Sequence, residues 1–212
     1  MKIYKNTVSE ALWEALIKLM TLEELKEFRL VGGTSLSLLI GHRVSIDIDL
    51  FSDAEYGAID FEKILNAINA VFNFVETGQW SNNVPGNSCY IGTNKEDMIK
   101  VDLFYTDPFV FPILNYKNIR LSQMEEIAAM KLEVIGNGGR KKDFWDIHEL
   151  TQYFSLQQMI QFYLKRYPYS CTEGEIMSQL TNFEAADYDF DPKCLKGKYW
   201  ELIKLDFEEM TK

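Results

Sequence analysis

The segment Ser45-Ile46-Asp47-Ile48-Asp49-Leu50-Phe51 alternates apolar and acidic residues. A period of two belongs to a strand, so Ile46, Ile48 and Leu50 share one face and Asp47 and Asp49 the other. The two carboxylates then stand roughly 6–7 Å apart on one side of the strand. This implies a sheet with one face in the core and the other carrying charge. Upstream, Phe28 to Val31 is a short apolar strand candidate that runs into Gly32-Gly33. Thr34 to Ile40 then reads as a helical turn or two, ending near Gly41.

A glycine pair before a helix lets backbone N–H groups come close to phosphate oxygens, so Gly32 and Gly33 are candidate phosphate binders. The hydroxyls of Thr34 and Ser35 offer further donors. Two carboxylates on one strand face suit Mg²⁺, a hard ion that keeps substrate phosphates among its oxygen ligands. Such a pair can hold two metals roughly 3.5–4 Å apart, the spacing of two-metal phosphoryl chemistry. A third carboxylate is expected from a neighbouring strand. Asp102, in the alternating run Ile99 to Phe104, is the best candidate; Asp107 is weaker because Pro108 places it in a turn. Alone, a Gly-Gly pair is usually a turn and an Asp-x-Asp pair a solvated face. In this order, with a third strand carboxylate downstream, they point to a metal–nucleoside triphosphate site.

The remaining signals divide the chain into a mixed half and a helical half. Thr7-x-x-Glu10, Thr21-x-x-Glu24 and Ser122-x-x-Glu125 have the form of capping boxes at helix starts. Asp60 to Phe74 reads as a helix, and Phe74 to Tyr105 as three strands broken at Asn82 to Gly86 and at Asn94 to Asp97. From Lys141 the pattern is helical, with Ser155 and Thr172 as N-caps and Pro168 between two helices. The expected class is α+β: a small mixed sheet with strands near Phe28, Ile46, Val75, Cys89 and Val101, followed by a helical region. The expected domains are a catalytic core over 1–118 and a helical region over 119–212 that closes the cleft.

Charge and cysteine usage narrow the function. The net charge is −10 and the sequence pI about 4.8, which weighs against broad non-specific nucleic-acid binding but not against a local basic patch. The three cysteines show no CxxC or Cys/His spacing, so neither a zinc site nor a disulfide framework is expected, and a reducing cytoplasm fits. The first residues lack the apolar core of a signal peptide, and no run is apolar enough for a membrane span.

The string Gly32-Gly33-Thr34-Ser35-Leu36-Ser37-Leu38, then Gly41-His42-Arg43, Ser45 and Asp47-Ile48-Asp49-Leu50-Phe51, resembles the AbiEii/AbiGii-type toxin nucleotidyltransferases. These are a branch of the DNA polymerase beta-like nucleotidyltransferase superfamily. The later group Lys131-Leu132, Arg140 and Asp143-Phe144-Trp145-Asp146-Ile147-His148-Glu149-Leu150 is similar to a second motif of that family. The resemblance spans Val31 to Leu150; nothing after about Ser155 matches a known motif.

The resemblance implies transfer of a nucleoside monophosphate from a Mg–NTP to an acceptor hydroxyl, tRNA or another RNA, by the toxin of a toxin–antitoxin pair. It implies two Mg²⁺ ions, an NTP substrate and a cognate antitoxin as partner. Gly33 and Thr34 would hold the β- and γ-phosphates, and Asp47 and Asp49 the metal. Lys131 would contact phosphate or assist proton transfer. Asp146, or as second choice Asp143, would position Lys131 or Arg140 or act as base. Arg43 reads as a phosphate-binding fork or as one side of a structural salt bridge. Lys131 otherwise reads as a snorkelling core lysine, and Arg140-Lys141-Lys142 as a phosphate contact or a solvated turn. Phe109, Phe111 and Tyr116 are candidate base-stacking residues or plain packing. Two other functions stay open: a nucleotidyltransferase acting on an aminoglycoside-like small molecule, and a module that binds NTP without turnover.

Overall fold

The computed structural model describes residues 2–212. The first helix, α1 (Glu10–Thr21), starts from Ser9, whose Oγ accepts the Leu12 N–H at 3.1 Å. The capping role expected of Thr7 is not observed: Thr7 is buried and donates to the Tyr4 carbonyl at 2.6 Å. After a single 3₁₀ turn over Glu23–Leu25, where a second helix was expected, comes the two-residue strand β1 (Arg29–Leu30). It leads into α2 (Gly32–Ile40), a nine-residue helix that takes in the glycine pair.

The acidic strand is β2 (Asp47–Ser52). Its inward residues Ile48 and Leu50 are fully buried, as the alternation predicts, but Ile46 precedes the ladder and is 71% exposed. Next come α3 (Phe61–Val71), β3 (Phe74–Thr77), β4 (Gly86–Gly92) and β5 (Ile99–Tyr105). The segment read as a domain boundary instead forms a hairpin, β6 (Leu114–Tyr116) and β7 (Ile119–Leu121). The helical half holds α4 (Met124–Gly136), α5 (Lys141–Leu150), α6 (Leu156–Arg166), α7 (Glu173–Gln179), α8 (Glu184–Asp187) and α9 (Trp200–Met210). Ser155 and Thr172 cap α6 and α7 as expected. Ser122 does not cap α4, whose N-cap is Gln123.

The seven strands form one mixed sheet in the order β3-β4-β5-β2-β1-β7-β6. β2 lies parallel to β5, and β1 parallel to β7; the other pairs are antiparallel. The fold is therefore α+β, with the helices segregated after the sheet. Two apolar cores result. The first joins α1, α3 and the sheet through Leu16, Phe28, Ile48, Leu50, Phe61, Val101 and Leu103. The second joins the C-terminal helices through Ile127, Leu132, Phe144, Trp145, Tyr163 and Phe207. α2 belongs to both: Leu38 packs in the first, Leu36 and Ile40 in the second. That places α2 at the seam between the cores.

Candidate active site

The parallel pairing of β2 and β5 sets the acidic residues side by side. Asp49 lies in register with Asp102, and Asp47 with Lys100. All four open into a cleft of about 590 Å³, floored by these strands and by Gly32 and Gly33 and walled by α4 and the start of α5. The opposite wall carries three cations, Lys131, Arg140 and Lys142, and two acids, Glu133 and Asp143. A separate cavity of about 110 Å³ near Glu14, Lys18 and Phe72 contains none of the residues singled out from the sequence.

Asp49 is the most constrained of the acids. Burial, then the Asp102 charge, push its pKa up to about 6; Asp47 adds to this while Lys131 partly offsets it. No cation lies within salt-bridge distance of Asp47 or Asp49 among the described residues, so their charge is left for something else to neutralise. Asp102 is engaged: it accepts from Ser88 Oγ at 2.5 Å and from Lys100 Nζ at 2.8 and 2.5 Å. Among the described residues no three metal-binding side chains converge on one point. The donors are nevertheless all carboxylate oxygens, the type Mg²⁺ prefers, and two of them lack partners.

The glycine pair has geometric reasons to be glycine. Gly32 has φ +65°, and a Cβ there would stand 2.6 Å from Asp49 Oδ2. A Cβ on Gly33 would collide with the Arg43 guanidinium. α2 starts with no side-chain cap, and its first residues, Gly32 and Gly33, line the cleft beside Asp49.

Thr34 and Ser35 stand behind this turn, fully buried. Thr34 Oγ1 makes a short hydrogen bond to the Asp47 carbonyl and another to Ser45 Oγ at 2.8 Å. Ser35 Oγ donates to the Ser122 carbonyl at 3.4 Å. These hydroxyls fasten α2 to its neighbours, and neither lines the cleft.

Arg43 and Asp146 also lie beneath the floor. Arg43 grips Asp146 with a two-pronged contact, Nε to Oδ1 at 2.6 Å and Nη2 to Oδ2 at 2.8 Å. His42 Nε2 donates to the same Oδ1 at 2.7 Å, since a carboxylate can only accept. Lys131 closes the set, 2.6 Å from Asp143 and 2.8 Å from Asp146. Burial alone would push the Asp146 carboxyl up, but Arg43 and Lys131 hold it well below the usual range. Burial likewise works against the Lys131 ammonium, but Asp146 and Asp143 outweigh it and raise its pKa. Two buried cations thus balance two buried anions, and Lys131 is fixed as an ammonium at the edge of the cleft.

Sequence reasoning brought Asp47, Asp49, Asp102, Gly32, Gly33, Lys131 and Arg140 to one place. Within the basic run, Lys142 faces the cleft, while Lys141 turns to Asp191 at 2.9 Å. Lys100 was missed, although its place two residues before Asp102 on an alternating strand was the available signal. The aromatic candidates are occupied: Phe109 lies under Arg29, and Phe111 packs against Phe162 and Lys165. Tyr116 packs against the first core.

Residues 14–208 match the family described as nucleotidyl transferase AbiEii toxin, type IV TA system. An uncharacterised protein of Aquifex aeolicus is 26% identical over 94% of this chain and 93% of its own. A putative nucleotidyltransferase from H. pylori superposes with TM-score 0.62 at 18% identity, covering 96% of this chain and 94% of that one. The nucleotidyltransferase toxin MenT4 from Mycobacterium tuberculosis superposes with TM-score 0.55 at 13% identity, covering 96% and 85%. At these identities the two structures speak for the fold alone, and the family match carries the assignment. With nearly its whole length inside that match, and with its acidic strand pair and glycine turn on one cleft, the chain belongs to the AbiEii family of nucleotidyltransferase toxins of type IV toxin–antitoxin systems.

Proposed function

We propose that this cleft binds a Mg²⁺–nucleoside triphosphate and transfers its nucleoside monophosphate to a hydroxyl of an RNA acceptor. The observation that carries the reading is the polarity of the cleft. Asp47 and Asp49, without an ion-pair partner among the described residues, and Asp102 with its Lys100 lie on one side; Lys131, Arg140 and Lys142 lie on the other, beside Glu133 and Asp143. A metal–triphosphate has the complementary polarity.

Asp47, Asp49 and Asp102 would hold the divalent ions, two in number. Bound there, these would activate the acceptor hydroxyl and neutralise charge on the departing pyrophosphate. The uncapped N–H groups of Gly32 and Gly33 receive phosphate oxygens at the positive end of α2. Lys131, held as an ammonium by Asp143 and Asp146, meets the same phosphates from α4. Asp146 acts through Lys131 and Arg43 and serves as a positioning residue. Arg43 fills the space beside Gly33 and so fixes the phosphate turn from behind, and Thr34 and Ser35 anchor α2. Lys142, whose pKa is lowered by burial and by repulsion from Arg140, Lys131 and Arg43, is a cation short of an anionic partner. A triphosphate or an acceptor phosphate supplies one. Arg140, its side chain 63% exposed, extends the basic wall outward towards an RNA backbone. A cognate antitoxin restrains the activity, as membership of the family implies.

The test is label transfer from each α-labelled NTP into total cellular RNA and, in parallel, into a panel of small hydroxyl compounds. RNA is expected to be labelled only with divalent metal present, and Asp47→Asn to reduce labelling by roughly a hundredfold or more. Labelling of small molecules alone would overturn the RNA acceptor. NTP binding without pyrophosphate release would overturn catalysis.

A further inference from the structure

Lys100 stands two residues before Asp102 on β5, so the alternation that turns Asp102 into the cleft turns Lys100 there as well. Its ammonium touches both oxygens of Asp102. In register it sits opposite Asp47, while Asp102 sits opposite Asp49. The three acids therefore already have one cation among them, supplied by the chain itself.

The geometry makes that cation a competitor. A Mg²⁺ ion binds a carboxylate oxygen at roughly 2.0–2.1 Å. The ammonium takes an acceptor site on each oxygen of Asp102, Ser88 Oγ takes another on Oδ1, and the lysine's charge repels a second cation at that distance. The lysine side chain is 38% exposed and unbranched, so it has room to leave.

We propose that Lys100 is a resident counter-ion of the metal site, holding Asp102 while no divalent ion is bound and displaced from it when one arrives. This rests on the reading of the cleft as a metal–nucleotide site. Such a lysine steadies three neighbouring carboxylates in the metal-free protein and raises the metal concentration needed to assemble the site.

The test is a Mn²⁺ titration of the full chain without nucleotide, with free Mn²⁺ read by electron paramagnetic resonance. Wild type, Lys100→Met, Asp102→Asn and the double variant are compared, with circular dichroism to confirm folding. Lys100→Met is expected to bind Mn²⁺ roughly fivefold more tightly than wild type, the scale of a partly exposed charge pair. In the Asp102→Asn background the same change is expected to have no effect, because the lysine then has nothing to occupy. A gain that persists in that background would reduce Lys100 to a through-space charge and overturn the proposal, as would equal affinities of wild type and Lys100→Met. Mn²⁺ binding to none of the proteins would instead overturn the metal–nucleotide reading and, with it, this role. Should Lys100→Met misfold, Lys100→Gln removes the same charge and reads out the same way.

Discussion

At the scale of single residues, Asp49 carries the clearest physical signature. Its folded pKa of about 6 lies above the ordinary value of 3.8, because burial and the Asp102 charge disfavour ionisation. At this group the folded state therefore holds its proton more tightly than the unfolded chain between those values, and the stability Asp49 contributes falls as pH rises through that window. A difference of that size corresponds to about 3 kcal/mol. Asp146 acts in the opposite sense but in another window: its depressed pKa adds stability that is lost only as pH falls below 3.8. His148, whose pKa burial lowers from 6.5, contributes the opposite trend in the same window, so the check is the difference between proteins: in metal-free thermal melts from pH 4 to 6, wild type is expected to lose stability relative to Asp49→Asn as pH rises. A difference that stays constant across that range would mean that Asp49 does not titrate there. Divalent metal should offset the decline at pH 6 and above, since it removes the reason to keep the proton, and its affinity should weaken below about pH 6 as protons compete.

At the scale of elements, the junction of β1, α2 and β2 holds the site together, and each bond in it is specific. Gly33→Ala places a methyl group where the Arg43 guanidinium lies. Arg43 is pinned by two bonds to Asp146 and cannot yield easily. A loss of about 1–3 kcal/mol is expected, the usual cost of overpacking, together with weakened triphosphate binding. Thr34→Val keeps the shape of the side chain but leaves the Asp47 carbonyl without its donor, for a loss of about 1–3 kcal/mol. Chemical denaturation of the two variants checks both figures; an unchanged midpoint in either would mean that the turn relaxes freely.

The same junction shows what a sequence can disclose. The acidic strands were legible because alternation is a local signal, and so was the glycine turn before a helix. The destination of Thr34, Ser35 and Arg43 was not, because it depends on which neighbour α2 packs against. A hydroxyl after a glycine pair reads as a phosphate donor until β2 is seen to claim it. β6 and β7 escaped for a different reason: three residues each are too few to display a period. Thr7 and Ser122 had the form of caps at the right spacing, but both are fully buried, and the N-caps are Ser9, two residues further on, and Gln123, one residue further on.

At the scale of the whole molecule, the sheet and the helices meet through buried charge. Arg166, at the end of α6, lies 2.5 Å from Glu126 on α4. It also donates to the Pro108 carbonyl at 2.9 Å and to Thr106 Oγ1 at 2.8 Å, in the loop that follows β5. Glu126 answers from the other side, accepting the N–H groups of Val110 and Phe111 at 3.1 and 2.8 Å. One buried ion pair therefore holds the exit of β5, and with it Asp102, against the helices that carry Lys131. A division at 118/119 falls inside the β6–β7 hairpin and would separate β7 from β6, although β7 also pairs with β1. We propose that regions 1–118 and 119–212 unfold as one cooperative unit in spite of their two cores. Arg166→Ala leaves Glu126 buried without its cation, and a loss of about 3–5 kcal/mol is expected. If the regions are one unit, native-state hydrogen exchange will show protection at β2 and β5 falling together with protection at α4 and α5, and denaturation will keep a single transition. If the helices alone lose protection while the sheet is unmoved, the two regions are separable, and the cleft between them owes its shape to docking rather than to shared folding.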